Sequence, residues 1–184
     1  MSTAIIIILV IVVLLIGWVF GTYNGLIQLR NKVKDQWAQI DVVLKRRFDL
    51  IPNLVETVKG YAKHEKETLD SVIKARNTYV SATTPEDQMK ADGELTQAIS
   101  KLFALSESYP DLKANENFQQ LQKELTETED KIQYARQFYN DVVMKYNNKV
   151  EMIPSNIIAN IFGFKKETFF EASEDERKNV EVKF

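Results

Sequence analysis

The chain has 184 residues, with 24 Lys and Arg against 26 Asp and Glu, one His and no Cys. The length is sufficient for one domain with a core. A formal net charge of −2 lacks the basic excess of a nucleic-acid-binding protein. Without Cys there is no disulfide framework, thiolate zinc site or cysteine nucleophile, and one His excludes a site with two or three His ligands in one subunit.

Residues 4–20 are uncharged and almost entirely apolar. With their neighbours they reach the roughly 20 residues that a bilayer core requires. Trp18, Phe20 and Tyr23 stand at one end, as interfacial aromatic residues do. A cleaved secretory signal is the alternative, but no Lys or Arg precedes the run and no small-residue cleavage site follows it. The pattern therefore predicts one transmembrane helix within residues 1–22.

The charges beyond this segment predict its orientation. Arg30, Lys32 and Lys34 follow the segment, whereas only the α-amino group precedes it. Segments rich in Lys and Arg stay on the cytoplasmic side of a membrane. We therefore expect a single-pass protein with a short N-terminus outside and the remaining chain in the cytoplasm.

Gly17, Gly21 and Gly25 recur every four residues near the end of the apolar run. On a helix they form one ridge of small residues, the pattern at which helices approach closely in membranes. We expect another helix to contact this ridge. The alternative is that small residues occur there by chance.

Apolar residues recur at helical spacing after the membrane segment. No helix-breaking residue lies between Gly25 and Asp49, so the first helix is expected to continue directly from the membrane span. Asp49 and Pro52 predict a boundary, because Asp caps a helix and Pro is tolerated in a first turn. A second helix is then expected over residues 50–81.

Two further long helices follow. Thr84 and Pro85 predict the start of a third helix that ends before Pro110. A fourth begins near Asn115 and ends near Pro154, with apolar intervals of three and four that are typical of coiled coils and bundles. The predicted fold class is all-α, with the transmembrane helix continuing into an antiparallel up-and-down four-helix bundle over 23–153.

The segment 154–184 begins with a short apolar helix. Ser155 is expected to cap it and Gly163 to end it. We expect this segment to pack on an open end of the bundle, with a second membrane contact or a partner-docking segment as the alternatives. Residues 173–184 are mostly charged.

Several strings in the chain resemble the LemA family of bacterial membrane proteins. The longest are LKRRFDLIPNLV at 44–55, YPDLKAN at 109–115 and NIFGF at 160–164. The resemblance covers nearly the whole chain and implies one N-terminal transmembrane helix in the bacterial cell (inner) membrane, a long-helix bundle and an N-terminus outside. For the family it implies no established activity. The genes often neighbour membrane zinc proteases, and a distant relative takes part in building magnetosome membranes, but these associations define no mechanism.

The sequence contains no recognisable catalytic set. The pair His64-Glu65 lacks a second His four residues on, where Thr68 stands, so it does not match a zinc-protease motif. We expect no enzymatic activity, no cofactor and no metal. An acidic cluster on the fourth helix avoids its apolar face and is expected to be solvated: Glu124, Glu127, Glu129 and Asp130.

Glu65, Tyr139 and Tyr146 are polar residues on the predicted core faces. A buried carboxylate or hydroxyl needs a hydrogen-bond partner. In a hairpin of the first two helices, Glu65 would pair with Lys34 or the ring N–H of Trp37. The alternative is that its carboxylate reaches water.

Five charged residues lie at the predicted tip of the same hairpin. They are Asp41, Lys45, Arg46, Arg47 and Asp49. A solvated helix end is one interpretation, and a docking tip for an acidic partner is the other.

These features favour a membrane-anchored helical scaffold or adaptor. It would self-associate or hold other membrane proteins, such as a membrane protease, and would not bind nucleic acid. The alternative is a membrane-tethered sensory module that binds a small ligand between its helices.

Overall fold

The computed structural model describes residues 3–170, and within that range the chain forms six helices and no strand. They are α1 (Thr3–Lys59), α2 (Lys66–Ser81), α3 (Pro85–Ser106), α4 (Pro110–Lys113), α5 (Glu116–Glu151) and α6 (Ser155–Ile161). The predicted all-α class is confirmed. The apolar run and the helix after it are continuous, as expected, but the helix they form is longer than predicted, with 57 residues.

The start of α1 has no protein cover. None of its most apolar 18-residue window is buried. By length and composition it is the one helix in the described part of the chain that could cross a membrane.

The predicted helix boundary at Asp49 and Pro52 was wrong, because α1 continues through both residues. Proline has no N–H, so Pro52 cannot donate to the carbonyl oxygen of Phe48 one turn earlier. The Nε of Arg76, on α2, donates to that oxygen at 3.3 Å instead. A donor from a neighbouring helix thus compensates for the missing backbone hydrogen bond.

The boundary before α3 was predicted correctly. The side-chain oxygen of Thr84 accepts a hydrogen bond from the backbone N–H of Asp87 at 3.1 Å, and Pro85 occupies the first turn. Helices α2 and α3 pack against each other across the short connection 82–84.

The chain divides into two compact units, and α1 and α5 contribute to both. Among the described residues, the first unit holds 3–38 and 137–169, and the second holds 39–136 with Phe170. The core of the first unit includes Leu26, Val33, Val143, Ile158 and Phe164. The core of the second includes Leu44, Leu54, Val72, Leu95, Leu102, Phe118 and Ile132.

The short helix α6 ends at Ile161, and Gly163 follows two residues later with a φ of 70° that suits glycine, in line with its predicted role in closing the helix. Its N-cap residue is Pro154 rather than Ser155, whose hydroxyl donates to the carbonyl oxygen of Met152 at 2.9 Å. The charged segment 173–184 lies outside the described residues.

Candidate functional site

The second unit contains a cluster of four ionised side chains, Arg47, Asp92, Glu129 and Arg136, which we call the ionic cluster. The Nη1 atom of Arg47 lies 2.9 Å from Oδ1 of Asp92 and 3.0 Å from Oε2 of Glu129. Arg136 pairs with Oδ2 of Asp92. Asp92 is fully buried, and Arg47 is 3% exposed. Burying charges at this depth is tolerable only when their partners are in place.

The ionic cluster joins three helices, because Arg47 lies on α1, Asp92 on α3 and Arg136 on α5. Arg47 also donates through Nη2 to the hydroxyl of Thr96 at 2.9 Å. Both oxygens of Asp92 are bound to guanidinium groups, which leaves this carboxylate poorly suited to act as a base. The geometry therefore favours a structural role over a catalytic one.

The ionic cluster was not predicted from the sequence, and the prediction that Glu129 is solvated was wrong. The side chain of Glu129 is only 23% exposed and contacts Arg47. The spacing of the apolar residues could have indicated the burial of these charges. Arg47 lies three residues after the buried Leu44, and Asp92 lies three residues before the buried Leu95, on the same helix face in each case.

A cavity of about 160 Å³ opens beside the ionic cluster. Polar and apolar side chains line it, among them Arg47, Thr96, Ser100, Phe103 and Glu129. Within the described residues, no group of three or more His, Cys, Asp or Glu side chains could hold a metal ion.

The five residues of the predicted docking tip do not form a tip. They lie in the middle of α1, because the helix continues past Pro52 to Lys59. Arg47 is buried in the ionic cluster, and Asp41 accepts a hydrogen bond from the hydroxyl of Tyr79 at 3.2 Å. The other three are exposed: Lys45, Arg46 and Asp49.

The hydroxyl of Tyr79 is held protonated. Burial is the main cause that raises the pKa of Tyr79 above its ordinary value, and the charge of Asp41 raises this pKa further. The ring of Tyr79 stacks on Phe48 with centroids 3.9 Å apart. This contact connects α2 to α1 beside the Asp41 hydrogen bond.

Glu65 is half-buried and accepts a hydrogen bond from the hydroxyl of Tyr109 at 2.9 Å. This hydrogen bond is the main cause that raises the pKa of Tyr109. The predicted partners, Lys34 and Trp37, were wrong. The turn between α1 and α2 lies at residues 60–65, and not at the predicted boundary near Pro52 that placed Glu65 level with them.

Tyr139 and Tyr146 belong to the first unit and are 3% and 1% exposed. The hydroxyl of Tyr139 donates to the carbonyl oxygen of Thr168 at 3.0 Å, and its ring meets the edge of Trp37. Burial is the main cause that raises the pKa of Tyr146, and the charge of Glu167 raises it further, against a smaller opposing effect of Arg30.

Asn147 fastens the segment after α6 to α5. Its side-chain amide donates to the carbonyl oxygen of Glu167 and accepts from the N–H of Glu167, both at 2.9 Å. This role of Asn147 was not predicted from the sequence. The available signal was an Asn that follows the buried Tyr146 on a helix with regular apolar spacing.

The three glycines of the predicted ridge have different surroundings. A Cβ atom added to Gly25 would lie 2.5 Å from Nζ of Lys149, at the end of a flexible side chain of α5. At Gly17 and Gly21 nothing lies within 4 Å. The ridge is therefore open along its first two positions.

The described helices, and the one among them that is long and apolar enough to cross a membrane, place this chain in the class of helical proteins compatible with a membrane location. The family model described as the LemA family matches residues 36–184. The chain belongs to the LemA family, which confirms the resemblance.

Three curated relatives extend this comparison. Protein LemA of Metamycoplasma hominis is 28% identical, over 88% of this chain and 74% of the relative. Magnetosome protein MamQ 2 of Paramagnetospirillum magneticum is 26% identical, over 87% of this chain and 68% of the relative. Magnetosome protein MamQ of Magnetospirillum gryphiswaldense is 24% identical, over 80% of this chain and 64% of the relative.

Proposed function

We propose that this protein is a non-enzymatic, membrane-anchored scaffold or adaptor of the bacterial inner membrane, with its helical units in the cytoplasm. The observation that carries this function is the continuity of α1. Its first turns are apolar and uncovered, and its next turns, at Thr22 and Leu26, are buried in the first unit. Such a helix holds the folded units at a fixed place next to the bilayer.

The same continuity favours a permanent anchor over a cleaved signal. Cleavage near the end of the apolar run would remove or expose core residues such as Thr22 and Leu26. For the second unit, the α2–α3 hairpin and the regular apolar spacing of α5 support an antiparallel, up-and-down arrangement of long helices.

A scaffold needs a contact surface, and the ridge at Gly17 and Gly21 supplies one within the membrane. Small residues let helix backbones approach closely in lipid. Because no atom of the described residues lies within 4 Å of a Cβ added at either glycine, we propose that another membrane helix packs there, either from a second copy or from a partner such as a membrane protease.

Gly17→Leu and Gly21→Leu test this scaffold function. A Cβ added at either position meets no described atom within 4 Å, so we expect the melting temperature to stay unchanged while self-association is lost. The mass of the full chain in detergent is measured by light scattering. Leu15→Phe, on the opposite face of α1, is the matched control and should keep the wild-type mass. A monomeric wild type would redirect the test to partner cross-linking at the same ridge.

The cavity beside the ionic cluster favours a second candidate function, binding of a small ligand. Its volume of about 160 Å³ suits a few heavy atoms, and its lining offers hydroxyl groups at Thr96 and Ser100. A ligand that binds only the folded chain raises its melting temperature. A compound that does so for the wild type but not for Ser100→Phe, which fills the cavity, would support the sensory alternative.

A further inference from the structure

In the described part of the chain, the segment around α6 exposes several large apolar side chains. Residues 152–164 include no charged residue. Five apolar side chains in this run are more than half exposed, and we call them the apolar edge: Met152, Ile153, Ile157, Ile161 and Phe162. Ile153 is 82% exposed. Large exposed apolar side chains grouped on one short segment are typical of a contact site.

The structure places the apolar edge at the end of the candidate membrane span. The ring of Phe162 lies 4.8 Å from the ring of Tyr23, and that of Phe164 lies 5.7 Å from it. Tyr23 follows the apolar run 4–20 by less than one helical turn. The apolar edge is therefore level with the point where α1 leaves the hydrocarbon.

The two faces of α6 have different surroundings. Ile158 and Ala159 point into the first unit and are buried, whereas Ile157 and Ile161 point outward. Interfacial helices bury such an outward apolar face by about 5–10 Å at the boundary between headgroups and acyl chains.

We propose that the apolar edge inserts into the bilayer that α1 crosses, as a second and monotopic membrane contact. The inference rests on the proposed membrane span. It commits to lipid because the apolar edge adjoins the exposed apolar start of α1 through the Tyr23–Phe162 ring contact and because charged side chains border it. Lys165 and Lys166 follow it and are exposed, Lys166 pairs with Glu151 just before it, and Arg30 lies over the ring of Phe164. Lys and Arg suit the level of lipid headgroups.

The contact limits how the first unit can move. A single transmembrane helix can rotate and tilt, whereas a second contact beside it fixes one side of the unit against the membrane surface. The proposed contact does not depend on which side of the membrane the units occupy.

The chain has no Cys, so single cysteines carry an environment-sensitive fluorophore cleanly. Ile157→Cys and Ile161→Cys are labelled in the full chain, which is reconstituted into phosphatidylcholine–phosphatidylglycerol vesicles. We expect blue-shifted emission at both positions. Lipids brominated near the headgroup end of the acyl chain should quench it more than lipids brominated near the chain end.

Phe138→Cys is the matched control within the first unit. Phe138 is an exposed apolar residue of α5, next to Tyr139, whose ring contacts Trp37. Trp37 lies about 21 Å along α1 from Tyr23, so a label at 138 should remain in water. Val10→Cys, in the middle of the apolar run, reports on the span itself and should be quenched from deep in the bilayer.

The outcomes separate this inference from the proposed function. Quenching at 10, 157 and 161 but not at 138 supports both. Quenching at 10 alone overturns the membrane contact and keeps the anchor, whereas no quenching at 10 overturns the anchor. A blue-shifted label at 157 that brominated lipid does not quench assigns the surface to a protein neighbour, such as a second copy, and also overturns the inference. Circular dichroism confirms that each variant is folded.

Discussion

At the scale of single residues, we expect the stability of the second unit to depend most strongly on its buried charged side chains. Arg47 and Asp92 are almost completely removed from water. The attraction between such groups offsets their desolvation only while each charge keeps its partner. By contrast, the pair of Lys59 and Glu56 is solvated, and an exposed pair of this kind contributes little.

Asp92→Asn keeps the shape of the side chain and removes the charge that faces Arg47 and Arg136. Because two guanidinium groups lose their central partner, we expect the free energy of unfolding to fall by about 3–5 kcal/mol. Urea unfolding followed by circular dichroism measures the loss. The control Glu56→Gln should change it by less than about 1 kcal/mol. Similar losses in both variants would contradict a stabilising role of the ionic cluster.

Tyr79 gives the stability a dependence on alkaline pH. Its pKa in the folded protein is raised above the ordinary value of 10.0 by burial and then by Asp41. The unfolded chain therefore releases this proton at a lower pH than the folded protein does. Below about pH 10 the contribution is fully present, and above it the free energy of unfolding falls by at most about 1.4 kcal/mol per pH unit.

Tyr79→Phe removes the group that titrates. We expect the alkaline loss of stability, measured by urea unfolding on either side of about pH 10, to become shallower in this variant. Tyr134→Phe is the control, since Tyr134 is 66% exposed and its removal should keep the wild-type slope. An unchanged slope in Tyr79→Phe would show that other groups dominate the alkaline range.

The sequence pattern predicted that some of these residues are buried, but it did not identify their hydrogen-bond partners. Tyr139 and Tyr146 stood on an apolar stripe, and both are buried. Glu65 also lay on an apolar stripe, but its hydrogen-bond partner Tyr109 lies in a distant part of the sequence. Spacing along one helix identifies the face that is buried, and the fold alone determines which side chain arrives from another helix.

At the scale of helices, boundaries set by local chemistry were predictable. The cap at Thr84 with Pro85, and the end at Gly163, depend on neighbours in the sequence. The continuation of α1 through Pro52 was not predictable in this way. It depends on a hydrogen bond from Arg76, which lies on another helix.

Arg76→Leu removes the donor to the carbonyl oxygen of Phe48. We expect a loss of about 1–3 kcal/mol in the free energy of unfolding, the cost of a buried unpaired acceptor. In a Pro52→Ala background the residue at 52 regains an N–H that can donate to the same oxygen. The Arg76→Leu change should then be less costly, with a coupling of at least about 0.5 kcal/mol in the double-mutant cycle.

The exposed Arg46 provides the control for this cycle. Arg46→Leu should have the same small effect with Pro or Ala at position 52. Strict additivity between Arg76→Leu and Pro52→Ala would show that the hydrogen bond to Phe48 does not maintain the helix.

At the scale of the whole molecule, the all-α class and the family followed from the sequence, because long apolar periodicity and long family-like strings are robust signals. The division into two units did not follow from the sequence, because α1 and α5 each run through both units. Orientation in the membrane depends on a few flanking charges. Positive charge near the end of a span favours the cytoplasmic side, and Lys32 and Lys34 are exposed and available for this effect.

The orientation predicts a sided labelling pattern. Single cysteines replace Ser2 and Glu127, of which Glu127 is 54% exposed on α5. In spheroplasts, a membrane-impermeant maleimide should label position 2, and position 127 only after lysis. Replacing Lys32 and Lys34 together by Gln weakens the charge asymmetry, so the fraction labelled at 127 before lysis should rise. Labelling at position 127 but not at position 2, in the chain that keeps Lys32 and Lys34, would place the helical units outside the cytoplasm. The proposed contact at the Gly17 and Gly21 ridge would be unaffected, because the ridge lies within the proposed membrane span.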